Sequence, residues 1–189
     1  ILHGYYIAYR GYGNLRSTGV DKKIKAQIDA LLYHGIGCDS VLLPDGMENT
    51  PQKLRRILKQ LPGSNIDPRW GDWQSYAKAD FIYIRRPGHI SSKMVRTLQA
   101  YKSAHTNVKI ILELPTNPYD EELKAPRTLM YLLKDRHNRV KLHNIVDRIV
   151  VYGEQESEAI WDIPLLLMQN GIDLSRIAPK TGSLDPQRI

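Results

Sequence analysis

Apolar residues in this chain fall into short unbroken runs, separated by longer stretches in which they recur at helical spacing. The runs are Tyr5 to Tyr9 (closed by Arg10), Ser40 to Leu43, Phe81 to Ile84, Val108 to Leu112, Ile149 to Tyr152 and Pro164 to Met168. Continuous apolar runs of this length, rich in branched and aromatic residues, predict strands covered on both faces. Between them, Val20, Ile24, Ile28 and Leu31 form one stripe, with Lys22, Lys23, Lys25 and Asp29 on other faces. This predicts a helix from Val20, stopped by Gly35 and Gly37. Thr50-Pro51 reads as a cap and first turn for a second helix, to Leu61. Its stripe is Leu54, Ile57, Leu58 and Leu61, flanked by Lys53, Arg55, Arg56 and Lys59 and stopped by Pro62-Gly63.

The following polar, proline-broken stretch with Trp70 and Trp73 predicts a loop holding a short helix. Ser91 or Ser92 is expected to cap the next helix, with Met94, Leu98 and Tyr101 inward. A long helix is expected from Pro126 to His143, with Leu129, Leu133, Arg136 and Val140 on one side, and a short one from Glu154 to Trp161. Strands alternating with helices throughout predict an α/β fold, a doubly wound, mostly parallel sheet with helices on both faces of a Rossmann-like domain. Length agrees, since 189 residues suit one well-buried domain.

Charge narrows the range of partners. Lys and Arg outnumber Asp and Glu by 27 to 20, a net charge of +7, which favours anionic partners such as nucleotides, nucleic acid or an acidic membrane surface. The single cysteine, Cys38, excludes an internal disulfide and suits a reducing compartment. Opening an apolar strand, it reads as a small buried hydrophobe. No apolar run reaches the roughly 18 residues of a membrane span, and no signal-peptide pattern is visible. A cytoplasmic location is therefore expected. The chain starts at Ile1 rather than Met, so a longer parent protein is also expected.

Ligands of open α/β sheets sit beyond the carboxyl ends of the strands, and four connections here fall at such ends. The first carries Gly11, Tyr12, Gly13 and Asn14 and runs on to Gly19. Glycines there let backbone approach a phosphate, and the helix start offers unpaired N–H groups. It departs from the dinucleotide fingerprint, because Arg16 occupies the place of the third glycine; Asp45, a candidate ribose-binding acid, is equally explained by its Pro-Asp-Gly turn. A plain strand-to-helix connection competes with the ligand reading.

Arg85 and Arg86 put two positive charges where a phosphate or carboxylate would lie, unless they are simply solvated at a strand end. Glu113, Thr116, Asn117 and Tyr119, stiffened by Pro115 and Pro118, suit hydrogen bonding to a polyol such as a sugar, with a rigid surface loop as the competing reading. The fourth connection is Asn170 to Asp173. His137 and His143, six residues apart, make no metal pattern and are expected on a helix surface, so no metal is assigned. No Gly-x-Ser-x-Gly elbow or Gly-Lys-Ser/Thr run is present, which weighs against a hydrolase triad or a triphosphatase.

Taken in order, several of these motifs give the chain a familiar outline. Gly11-Tyr-Gly13 leads into Gly19-Val-x-x-Lys-Ile24 and a helix ending at Gly35. Ala79 to Arg85, Ile111-Leu-Glu-Leu-Pro-Thr116 with Pro118-Tyr119, Val146-Asp-Arg-Ile-Val150 and Asn170-Gly-Ile-Asp173 follow. The chain so resembles the N-terminal half of a GT-B-fold glycosyltransferase, nearest to the retaining family four of polysaccharide and glycolipid assembly. The resemblance covers about residues 5–180, and residues 181–189 would be a polar tail or the start of an interdomain linker.

The resemblance implies that Gly11, Tyr12, Gly13 and Asn14 face the donor diphosphate. It places Arg85, Arg86, Glu113, Thr116, Asn117 and Tyr119 on the acceptor or sugar side. It further implies a nucleotide-sugar donor, a glycan or lipid-linked acceptor, no cofactor, and a C-terminal donor domain that this chain lacks. Many relatives carry a histidine after the strand matching Val108 to Leu112; here Glu113-Leu-Pro-Thr116 stands in that place. A lipid-linked acceptor would make docking of the basic Pro51–Leu61 helix on an anionic membrane surface useful. Packing of that helix on the sheet is the competing reading.

Two other classes compete with the enzyme: a non-catalytic Rossmann-like module or subunit working with a partner chain, and a nucleic-acid binder. The last is disfavoured, since the basic residues are spread over several helices and no nucleic-acid motif is present.

Overall fold

The computed structural model describes residues 2–9, 18–43, 78–85, 90–114, 129–153 and 157–169. They form a seven-stranded sheet in the order β2-β1-β3-β4-β5-β7-β6. The strands are β1 His3–Tyr9, β2 Gly37–Leu43, β3 Phe81–Arg85, β4 Lys109–Leu114, β5 Arg148–Tyr152, β6 Ala159–Ile160 and β7 Ile163–Met168. Every pairing is parallel except that of β6 with β7. The helices among the described residues are α1 Thr18–Tyr33, α2 Ser92–Ala104 and α3 Leu129–Arg139, with a 3-10 turn at Leu142–Asn144. This is a mostly parallel, Rossmann-like α/β fold, as the alternating pattern predicts.

Pleating divides each strand between the two faces. Ile7, Ile82, Ile84, Ile110, Leu112, Ile149 and Val151 belong to the larger core, with Met94, Val95, Leu98 and Tyr101 of α2 packed over it. Tyr6, Ala8 and Ile24 form a smaller core on the other side, joined by half-buried Ile28, Cys38 and Tyr83. Helices α1 and α2 therefore cover opposite faces. Cys38 is half-buried against this smaller core, and burial, then the charge of Asp39, raises its thiol above the ordinary value.

The punctuation of the elements has local causes. Helix α1 stops because Gly35 adopts a left-handed φ of 74°. The Ile36 amide then donates to the Leu31 carbonyl at 3.0 Å and the Gly35 amide to that of Leu32 at 2.9 Å, which satisfies the last carbonyls. Gly37 is the first residue of β2 and has no part in the stop. Ser91 caps α2, its hydroxyl accepting from the Met94 amide at 3.1 Å. Asp147 ties the starts of β4 and β5 together, accepting from the Ile110 amide and Lys102 Nζ, each at 2.9 Å, and from Lys109 Nζ at 3.3 Å. Burial works to raise its carboxyl, but those donors outweigh burial and hold it below the usual range.

Two expectations fail. Of the stripe assigned to the helix after Pro126, Leu133, Arg136 and Val140 are exposed, Leu133 at 52% and Val140 at 68%. Helix α3 instead buries Asp135, Asn138 and Arg139. Asp135 accepts from the Ile90 amide, Asn138 donates to the Ile90 carbonyl at 2.8 Å, and Arg139 pairs with Asp135 one turn away. The inward face of α3 is thus chosen by backbone groups before α2 that need partners, and the helix stops at Arg139, short of His143. The second failure concerns Glu154 to Trp161. Ala159–Ile160 is a strand, paired with Ile163-Pro164 through a two-residue turn in which Trp161 and Asp162 both have positive φ, 52° and 61°. Positive φ at both central residues matches the twist of a tight hairpin, and this hairpin makes the only antiparallel pairing among the described strands. The Pro51–Leu61 helix and the Trp70–Trp73 loop lie outside the described residues.

Candidate functional site

The order β2-β1-β3-β4-β5 reverses direction between β1 and β3, and such a switch point is where open α/β sheets take ligands. The register aligns Tyr6 with Tyr83, Ala8 with Arg85, Arg85 with Glu113, and Glu113 with Val150. Paired residues share a face, so Tyr6, Tyr83, Arg85, Glu113 and, two residues beyond Val150, Tyr152 all lie on the α1 side. Arg85 and Tyr152 are the last residues of their strands, which puts them at the carboxyl edge. Above them runs α1, whose inward stripe Ile24, Ile28 and Leu31 also carries Gln27.

Gln27 is the hub of a hydrogen-bonded network. Its carbonyl oxygen accepts from the Tyr6 hydroxyl and from Arg85 Nη1, the latter at 3.0 Å. Its amide nitrogen donates to Glu113 Oε2 at 3.2 Å and to the Tyr152 hydroxyl at 3.0 Å. Glu113 is fully buried, at 0% exposed. Its Oε2 also accepts from Tyr83 at 2.6 Å, while Oε1 accepts from Tyr152 at 3.0 Å and lies 3.5 Å from Arg85 Nε. Tyr6 and Tyr83 stack with ring centroids 5.0 Å apart, and Lys23 Nζ sits 4.0 Å from the centre of the Tyr152 ring. Glu113 Oε2 accepts two hydrogen bonds and Oε1 one beside its ion pair with Arg85, while both donors and both acceptor positions of Gln27 are occupied.

Burial and charge fix the protonation of the phenols. Burial first, then the charge of Glu113, raises Tyr6 and Tyr83 far above the ordinary tyrosine value and pushes Tyr152 up to about 12. All three remain O–H donors at neutral pH. Lys23 is shifted the other way, lowered by burial and then by the neighbouring Arg85, against the opposing pull of Glu113.

Of the residues singled out from sequence, Arg85 and Glu113 are described, and they lie together. Neither belongs to a loop: both are in strands, 7% and 0% exposed. Glu113 is thereby enclosed by protein donors and works as a support inside the sheet–helix interface instead of an open acceptor for a sugar hydroxyl. Gly11, Tyr12, Gly13, Asn14, Arg86, Thr116, Asn117 and Tyr119 lie outside the described residues. Sequence reading passed over Tyr6, Lys23, Gln27, Tyr83 and Tyr152. The available signal was a glutamine inside the apolar stripe of α1, facing strands that carry tyrosines at matching alternate positions.

Among the described residues no group of three or more His, Cys, Asp or Glu side chains could hold a metal ion. No helix among them is long and apolar enough to cross a membrane. Fold and site together define a Rossmann-like α/β domain with a polar, arginine-containing network at its switch point. Compared with known proteins, the chain matches no family model and no curated protein.

Proposed function

We propose that this chain is the N-terminal, acceptor-side domain of a GT-B-fold glycosyltransferase that uses a nucleotide diphosphate sugar. The supporting observation is the network at the switch point. It ties α1, the helix that follows the glycine-rich connection, to the carboxyl ends of β3, β4 and β5 through Gln27, Arg85, Glu113 and Tyr152. Such a brace holds the middle of α1 and the strand ends in fixed relation, and a site for a diphosphate and a sugar needs such rigid support. In this reading Gly11 to Asn14 face the donor diphosphate, while Arg86, Thr116, Asn117 and Tyr119 face the acceptor. The missing donor domain supplies most contacts to the nucleotide. Sugar transfer to a hydroxyl then relies on electrostatic support of the departing diphosphate.

The commitment of Glu113 to internal partners favours one alternative, a non-catalytic module that binds an anionic ligand for a partner chain. A transfer assay separates the two. The complete reading frame containing this chain, given labelled nucleotide sugars and lipid-linked or glycan acceptors, should form a glycosidic product, and Gly13→Val should reduce it by impeding phosphate approach. A complete reading frame without a second α/β domain and without transfer would leave the binding module.

A further inference from the structure

The two faces of the sheet hold their helices by different means. Helix α2 sets Met94, Val95, Leu98 and Tyr101 into the larger core, all at 3% exposed or less. Among the described side chains of α1, Ile24 alone is buried, at 8%, while Ile28 and Leu31 are half-buried. Between them α1 turns Gln27 inward, and that one amide meets Tyr6, Arg85, Glu113 and Tyr152. Lys23 adds its contact with the Tyr152 ring. Lifting α2 would return large apolar side chains to water. Lifting α1 would expose less apolar surface, and each protein hydrogen bond lost would be exchanged for one to water at small net cost. It would also let water reach the Arg85–Glu113 pair, whose desolvation the closed structure must sustain.

We infer that α1 is a lid over the switch point, latched by Gln27, which opens as a unit while the sheet and α2 stay folded. Gly35, at a φ of 74° and with open space where a Cβ would stand, ends the helix and serves as the hinge. Closed, the latch is the brace described above. Glu113 is sealed at 0% exposed and Arg85 at 7%, and the Gln27 oxygen holds Arg85 Nη1. Open, Gln27 leaves with the helix. Arg85 then loses an internal acceptor, Glu113 an internal donor, and both meet water at the carboxyl edge of the sheet. One side chain thus couples the position of α1 to the availability of the two charged residues that the sequence marks out. Glu113, enclosed when the lid is closed, becomes an open acceptor only when it lifts. A ligand that engages either residue in that state shifts the lid toward it. The device stands on burial and hydrogen bonding and holds whether or not the parent protein transfers sugar.

Native-state hydrogen exchange of the chain in urea below its unfolding transition, followed by NMR, tests this. The amides of Ile24 to Leu31 should be about a hundredfold or more less protected than those of Leu98 to Tyr101 in α2, with a weaker dependence on urea because less surface is exposed. The Arg85 Nε–H should exchange through the same opening as α1. Ile110→Val, a small change in the larger core, should speed exchange in α2 by about two- to tenfold and leave α1 unchanged, because an opening confined to α1 does not disturb that core. Gln27→Ala should speed exchange in α1 by about tenfold. Equal protection and urea dependence in the two helices would overturn the lid, as would faster α1 exchange in Ile110→Val. An Arg85 Nε–H that follows α2 instead of α1, or no change in α1 with Gln27→Ala, would overturn it equally.

Discussion

Replacing Glu113 by glutamine changes one atom's identity in the middle of the network. The carboxylate is fully buried, 3.5 Å from Arg85 Nε, and accepts from Tyr83, Tyr152 and Gln27. Glutamine keeps the size but removes the countercharge of a guanidinium only 7% exposed. Its new N–H groups also face groups that already donate. Breaking one side of a buried ion pair costs about 3–5 kcal/mol, because the remaining charge stays desolvated. For a chain of this size each kcal/mol moves the thermal midpoint by about 2–4 °C, so a fall of roughly 6–20 °C is expected. Urea unfolding followed by circular dichroism should show a lower midpoint with an unchanged slope. Glu113→Gln with Arg85→Met should recover a large part of the loss, since a neutral pair needs no countercharge. A loss below about 1 kcal/mol in the single variant, or none recovered in the double, would refute the buried pair.

Further outcomes follow from the same geometry. Above the ordinary tyrosine value of about 10 the unfolded chain releases phenol protons that Tyr6 and Tyr83 retain when folded, so stability falls as pH rises; at pH 11 the two together cost about 3 kcal/mol. Urea midpoints between pH 9 and 11 should show this fall, and Tyr83→Phe should flatten it; an equal slope in the variant would count against the burial of that phenol. The folded carboxyl of Asp147 is lowered, so the stability it gives is present above about pH 4 and is lost as pH drops through the folded value. Asp147→Asn should cost about 1–3 kcal/mol at pH 7, a difference that closes as pH falls through the lowered folded value. Gly35→Ala has open space around the new methyl but a φ of 74°, so it should lose about 1 kcal/mol through backbone strain alone. A thermal midpoint equal to that of the unchanged chain would contradict it.

Much of the sheet was legible because buried parallel strands leave an unmistakable mark, a short apolar run with no alternation. Ile82 and Ile84, Ile110 and Leu112, Ile149 and Val151 all read directly as core, and all are buried. Helix α3 was misread because periodicity assumes that a buried face is apolar. There the buried side chains among those described are Asp135, Asn138 and Arg139, held by the Ile90 backbone and by one another. The hairpin at Trp161-Asp162 escaped because neither residue is glycine, and left-handed φ at two successive side-chain-bearing residues carries no compositional signal.

The site was half legible for a related reason. Arg85 and Glu113 stood out as charged residues at apparent strand ends, but their pairing across β3 and β4 depends on register, which tertiary packing sets. Gln27 looked like a break in an apolar stripe. Its meaning came only with four partners drawn from four strands.

Calorimetry of this chain with uridine, guanosine and adenosine diphosphate sugars tests the proposed division of labour most directly. If this chain is one wall of a two-domain cleft, as proposed, Arg85, Arg86 and the glycine-rich connection would meet the diphosphate, while the base, ribose and sugar would have few contacts. The expected result is a dissociation constant on the order of millimolar, roughly −4 kcal/mol, with little preference among bases and no sugar transferred. A low-micromolar constant for one nucleotide sugar, or turnover by this chain alone, would contradict it.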